Sequence, residues 1–435
     1  MENVPQLNFS SYSYDFQTKK LLSKKRIEDL GVEKTKKIYE LIGINDYLSD
    51  KIRIIDENEE DKLYLLHYVI PDEHIYHVRG TIIHITEEGE CKIIAESLPY
   101  SEDLCVDNIS EKKFDESYNV VEIFEGTVIR IFKGPITKRW YFSTHKKIDG
   151  RKSRWCGPTF GEIFFELWKK SFLEEVKIES TEDSTEEKSA IDFTINFDSY
   201  FEEDKCYVFL LSHPDNKLVC NIEPKLTLIS IYKRHEETSR MIHFHFDDKK
   251  LSLKMDHPSV DYYDNVQNFS SKEELVEYVK KIPYTQSTGV FVYKYAENLS
   301  KGCRYSDYYK LSNNDYLSKR VFRGNEPNLK LRYLEFKLEG SEYLEEFVKL
   351  FSEKKKLFDE VDRDFNNLSA YLKKFYNRRY KNREYCVFPQ EEHILVENTR
   401  KHYDKTYDIQ KNIELNLLKC TPRQINTLIK HMKEQ

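Results

Sequence analysis

The hydrophobic positions of this 435-residue chain change period from region to region. Residues 1–60 are mostly polar, with helical spacing from Val32 to Leu41 and a turn at Asp46 to Asp50. From Lys62 to Ile94 short runs rich in Ile, Val and Tyr take over (KLYLLHYVI, HVRGTIIHI, CKIIA), and such runs predict strands. A second β cluster follows in YNVVEIFEGTVIRIF and KRWYFSTHK, and GEIFFELWKKSFLEEV has the stripe of an amphipathic helix. The acidic stretch at 179–190 is a solvated loop or linker by its composition. A third β region runs through KCYVFLLS, KLVCNI, LTLISIYK and MIHFHFDD. Ser271 with Glu274 three residues on predicts a helix start, and STGVFVYKY returns to strand. Beyond about residue 340 the pattern is helix-periodic, and Thr421-Pro422 is a good N-cap and first-turn pair. The expected organisation is an N-terminal helical or irregular extension (1–60), an α+β body (61–335) and a helical C-terminal domain (336–435).

Composition narrows the function classes. Hydrophobic residues make up 39% and aromatic residues 14%, enough for a large core. The net charge of −7 argues against a protein that coats nucleic acid through general basicity, so any basic groove must be local. The eight cysteines form no C-x-x-C pair, so zinc spacing is absent and no metal is expected. Scattered thiols predict a reducing, cytoplasmic compartment. No signal peptide is expected, and no apolar run approaches the roughly 20 residues that span a bilayer. The abundance of Lys, Asn and Ile suggests an AT-biased genome such as that of a large DNA virus, with the host cytoplasm or a viral factory as the setting.

The candidate chemistry centres on Ile123-Phe124-Glu125-Gly126-Thr127, a strand–turn–strand. Lysine-dependent nucleotidyltransferases carry K-x-D-G at such a place, where a lysine of lowered pKa attacks a nucleotide's α-phosphate. Glu125-Gly126-Thr127 looks like the end of that motif, and Ile123 stands where the lysine is expected. Upstream, Val78-Arg79-Gly80-Thr81 resembles the R-G segment that precedes the nucleophile in the RNA ligase 1 family of T-even phages. Downstream, YVFLLSHPDNKLVCNI (207–222) resembles that family's F-E-h-V-x-P-x-N-R-I-V strand, with Phe209, Pro214, Asn216 and Lys217 matching in kind and Leu210 at the carboxylate position. Ser287-Thr288-Gly289-Val290 resembles its E-G-h-V motif with Thr288 in place of the metal-facing Glu, and DYYKLSNNDYL its closing strand, with Lys310 retained. The resemblance spans roughly residues 60–335. It implies a nucleotidyltransferase fold of the RNA ligase or ATP-grasp-like kind, with antiparallel sheets and a helical C-terminal domain.

Family members form a lysyl-adenylate and seal RNA ends, which requires the lysine and carboxylates that bind metal and ribose. Ile123, Leu210 and Thr288 cannot supply these groups, so the expectation is a pseudoenzyme with no catalytic residues and no cofactor, whose partner is RNA or another protein. The alternative is an active ATP- and Mg²⁺-dependent ligase using Lys147, because Lys147-Ile148-Asp149-Gly150 reads K-x-D-G. A basic stretch follows it rather than an apolar strand, which argues against the alternative. That stretch, HKKIDGRKSRW, gathers Lys146, Lys147, Arg151, Lys152 and Arg154 beside Trp155, a combination suited to phosphate contact and base stacking. Arg79 and Lys310 are further expected contacts for RNA or nucleotide. A second cluster, KKFYNRRYKNREY (373–385), reads as a charged helix face, and His243 and His245 as strand-surface histidines rather than metal ligands.

Overall fold

A computed structural model describes residues 20–434 except 45, 102, 156, 180–196, 235–240, 246–252, 254–256, 263–265, 296–304 and 386. The expected acidic loop lies outside them, apart from Glu179 at a helix end, as do Asp247 and the side chains of His243 and His245. The chain forms two compact units, one ending at Arg320 and the other running from Val321 to Gln435. The class is α+β, with largely antiparallel sheets in the first unit and helices in the second.

The first sheet is an antiparallel meander of β1 (Ile52–Asn58), β2 (Leu63–Tyr68), β3 (Ile82–Ile85) and β4 (Cys91–Ala95). Strand β1 is not foreseen by the polar pattern of residues 1–60; its short Ile52-Arg53-Ile54-Ile55 run is buried by pairing with β2. The second sheet has the order β11 (Met241–His245), β10 (Lys225–Arg234), β9 (Lys205–Ser212), β7 (Thr127–Lys133), β8 (Trp140–Ser143), with β12 (Val260–Tyr262) parallel beside β10. The third has the order β13 (Val266–Gln267), β6 (Asn119–Ile123), β14 (Gly289–Tyr295), β15 (Tyr305–Ser312), β5 (Asp103–Cys105), with β5 parallel to β15.

Side-chain alternation decides what each sheet faces. In the third sheet Val120, Val290, Val292, Tyr309 and Leu311 point to a small core closed by helix Lys272–Lys281. Their neighbours Val121 and Phe291 point the other way, into the main core, and Lys310 shares that face. In the second sheet, helix Phe160–Glu179 covers one face, with Phe164 and Trp168 fully buried and Phe164 in edge contact with Phe209. Leu210, next in sequence, therefore projects from the opposite face, beside its register partner Val128. Strand β9 is apolar from Cys206 to Leu211 because it is central and covered on both sides.

The second unit has its own core, built from helices Leu329–Leu338, Leu344–Leu350, Lys355–Tyr376, Gln390–Lys401, Ile409–Leu417 and Pro422–Lys433. Among the described residues no helix is long and apolar enough to cross a membrane.

Candidate functional site

A cavity of about 660 Å³ opens in the first unit where the second and third sheets diverge. Its apolar lining comes from β6 (Val121, Ile123), β7 (Val128), β9 (Leu210) and β14 (Phe291). The chain crosses from the third sheet to the second through Phe124, Glu125 and Gly126, all three in the cavity wall. Gly126 is glycine for a steric reason: a Cβ there would lie 2.7 Å from Leu210 Cδ1 and 2.9 Å from the Leu211 carbonyl oxygen. Glu125 is buried and accepts from the backbone N–H groups of Leu218 (2.9 Å) and Val219 (2.8 Å), pinning the loop after β9. Burial raises its pKa, and these amides pull the other way.

Thr288 and Gly289 meet the same crossing. The Thr288 hydroxyl and backbone N–H both donate to the Ile123 carbonyl at 3.0 Å, and the Ser287 hydroxyl donates to it at 2.8 Å. Gly289 adopts φ +132°, and a side chain there would run into the Leu311 carbonyl of β15. Of the six motif positions, Ile123, Glu125, Gly126, Leu210 and Thr288 line the cavity, and Gly289 pairs with Ile123 across the sheet. The hydroxyls at 287 and 288 serve backbone geometry, and Leu210 and Ile123 present hydrocarbon.

Six cationic side chains also belong to the lining. Arg79, Lys146, Lys147, Arg154, Lys310 and Arg320 all reach the cavity. Fully buried Arg130 organises two of the loops that carry them, donating to the Gly80 carbonyl, to Ser143 Oγ and to the Thr144 carbonyl (2.7 Å). His145 Nε2 lies 2.9 Å from Ser97 Oγ, and burial together with Arg79, Arg130, His67 and Lys310 pushes its pKa far below the ordinary value. Burial, aided by Arg79, holds His67 at about 4, so neither imidazole adds charge at neutral pH. Burial and Arg79 lower the pKa of Lys146. For Lys310 burial is again the main lowering cause, opposed by Asp103 3.9 Å away and reinforced by Arg79 and Arg320.

The structure divides the basic stretch 145–155. Lys147-Ile148-Asp149-Gly150 is a tight turn after β8, closed by bonds from Thr144 N–H to the Lys147 carbonyl and from Gly150 N–H to the Phe142 carbonyl. Lys147 lines the cavity but is 54% exposed, and its ammonium lies 3.0 Å from Asp56. The second Asp56 oxygen accepts from the Ile148 N–H, so Asp56 holds the whole turn. Arg151 is paired with Asp149, and neither Arg151 nor Lys152 lines the cavity; Arg154 and Trp155 do. In the second unit, Arg378 pairs with Glu384, and Arg379 lies over the Tyr380 and Phe388 rings.

Two carboxylates line the cavity, Asp103 and Glu125. Asp103 is engaged by Arg320 and Lys310, and Glu125 by backbone amides. Both carboxylates are thus committed to internal partners. Among the described residues the grouping with metal-type donors is elsewhere, at Glu391, Glu392 and His431 of the helical unit. There the buried Glu392 accepts from the Tyr371 hydroxyl (3.1 Å), and one of its oxygens lies 2.9 Å from His431 Nδ1. Sequence reasoning passed over Arg130, Asp103 and Arg320. Arg130 alone had a signal, a single charge at the centre of the apolar V-I-R-I-F run.

No family model matches the chain, and no curated protein matches it in sequence. Among solved structures it is similar to an archaeal ATP-dependent RNA ligase (form 2), at 12% identity and a TM-score of 0.42 over 78% of this chain and 83% of that one. It is also similar to a putative ATP-dependent DNA ligase from Aquifex aeolicus, at 14% identity and a TM-score of 0.34 over 82% of this chain and 85% of that one. Similarity at this level assigns the chain to neither family.

Proposed function

We propose that this protein is an RNA-binding scaffold built like a nucleotidyltransferase of the RNA ligase type but without the lysine nucleophile. The observation that carries this reading is Ile123, a hydrocarbon side chain in the wall of a cationic cavity, at the crossing where the motif would put the lysine. Arg79, Lys146, Arg154 and Lys310 supply phosphate contacts, and Trp155 an aromatic face for a base. The commitment of Glu125 and Asp103 to internal partners supports a role without metal-dependent transfer. The composition favours a place in viral RNA metabolism or translation. A second reading, a ligase using Lys147, draws on the position of that lysine at the cavity wall.

Incubation with α-labelled ATP and magnesium separates the two readings. The scaffold forms no lysine-linked adenylate, whereas a label abolished by Lys147→Ala makes the protein a nucleotidyltransferase. In gel shifts, the scaffold binds single-stranded RNA in a salt-dependent way. Four phosphate contacts imply roughly a fiftyfold loss of affinity between about 50 and about 200 mM salt. Lys146→Ala and Arg79→Ala each weaken binding uniformly across sequences and make the salt dependence shallower. Absence of RNA binding at both salt concentrations rejects the reading.

A further inference from the structure

The helical unit buries a carboxylate completely. Glu392 is 0% exposed and lies on the same stripe of helix Gln390–Lys401 as the core residues Leu395 and Val396. An ionised carboxylate taken out of water is costly unless a cation pairs with it. Among the described residues no lysine or arginine does so. Its partners are the Tyr371 hydroxyl of helix Lys355–Tyr376 and the His431 imidazole of helix Pro422–Lys433. Lys433, two residues on from His431, is paired instead with Glu360 (2.6 Å) and Asp364 (2.7 Å). A glutamine at 392 could accept the same bond from Tyr371 without burying a charge, so the carboxylate itself points to a cation.

The donors for that cation stand together. His431 Nδ1 lies 2.9 Å from one Glu392 oxygen and 3.1 Å from the other, astride the carboxylate. Glu391 brings a third donor, and ligand atoms of Glu391, Glu392 and His431 all lie within 4.8 Å of one another. Glu391 is half-buried, and among the described residues no ion pair or side-chain hydrogen bond engages it. It also lines a cavity of about 290 Å³ with Asn398, His402 and Cys420, through which an ion can reach it. Ligands about 2.1 Å from a tetrahedral zinc ion stand about 3.4 Å from one another. The spacing of Nδ1 from the Glu392 oxygens is already close to that, and rotation of the Glu391 side chain brings in the third corner. Imidazole with carboxylate suits zinc and the neighbouring divalent transition metals, whereas magnesium and calcium favour oxygen alone.

We propose that Glu391, Glu392 and His431 form a site for a divalent transition-metal ion of the zinc type, with water in the fourth position. The ion takes the place of the proton between His431 Nδ1 and Glu392, supplies positive charge to the buried carboxylate and ties helix Gln390–Lys401 to helix Pro422–Lys433. The site belongs wholly to the helical unit and is independent of the RNA-binding reading above.

The test titrates the metal-free full chain with ZnSO₄ in a calorimeter, with MgCl₂ as the control, and repeats this with Glu391→Gln and His431→Asn. The wild type is expected to take up one zinc ion that each variant binds at least about tenfold more weakly, since even the outer partners of a metal ligand are worth that much. Magnesium is not expected to bind there. Saturating zinc should raise the melting temperature of the wild type and not that of the variants. Without metal the variants should melt as the wild type does, because Glu391 has no internal partner to lose and an asparagine at 431 can still donate to Glu392. If His431→Asn fails to fold, Glu391→Gln decides alone. Other histidines and cysteines of the chain can take up zinc, so uptake that Glu391→Gln or a folded His431→Asn leaves unchanged is an adventitious ion only and overturns the proposal. Absence of zinc uptake by the wild type overturns it as well.

Discussion

Arg130 illustrates how a single side chain sets the geometry of the cavity. Its burial lowers its pKa to about 10, which still leaves the guanidinium charged at neutral pH. A buried charge is tolerated when hydrogen bonds replace its hydration, and Arg130 donates three N–H groups to two carbonyls and a hydroxyl from different loops. Those loops carry Arg79 and the His145–Lys146 pair. Arg130→Met therefore strands the Gly80 and Thr144 carbonyls. The expected loss is about 3 kcal/mol in urea denaturation, together with weakened RNA binding. Arg130→Lys does not rescue it, because one ammonium cannot span three acceptors in the guanidinium plane. A stability change of Arg130→Met below about 0.5 kcal/mol, the ordinary range for surface positions, contradicts this role.

At the scale of elements, boundaries with local chemistry were legible. Ser271 accepts from the Glu274 N–H at 3.2 Å as the predicted cap of Lys272–Lys281. Thr421 and Gln424 form a full capping box at the start of Pro422–Lys433. Thr421→Ala is expected to cost about 1 kcal/mol, read as a lower melting temperature, because the Gln424 N–H loses its acceptor. The strand–turn–strand at Ile123–Thr127 was legible too, since alternation and a glycine mark it. The K-I-D-G string at 147–150 shows the opposite case. Four residues match a motif, but Asp56, nearly a hundred residues upstream, turns them into a pinned surface turn. Helix Asn314–Arg323, which brings Tyr316 and Arg320 to the cavity, lay hidden inside a stretch read as the end of a strand.

For the molecule as a whole, buried histidines dominate the expected response to acid. Burial lowers the pKa of His67 and of His257 to about 4 and that of His145 further. In the unfolded chain each binds its proton near the ordinary value of about 6.5. Between those values the unfolded chain holds more protons, so falling pH draws the equilibrium towards it. The stability that neutral His67 and His257 contribute is complete above about pH 6.5 and is lost progressively down to about pH 4. Melting temperatures measured from pH 7 to pH 5 should fall, and His67→Gln should flatten that fall. A melting temperature independent of pH across the window overturns the assignment.

The residue pattern alone determined the classes of element and the α+β body followed by helices. These are consequences of local periodicity, turn stereochemistry and residue type, which neighbouring residues suffice to express. Only the tertiary structure decided that the six motif positions converge on one crossing, that Arg151 and Lys152 stand apart from Arg154 and Trp155, and that Lys147 is tied to Asp56. It alone showed Asp103 and Arg320 at the cavity and the Asn216 amide without a partner. The physical reason is distance along the chain. Burial, ion pairing and hydrogen-bond satisfaction depend on groups brought together by sheet register, and a sequence read in windows contains no record of which distant residue fills each side chain's surroundings.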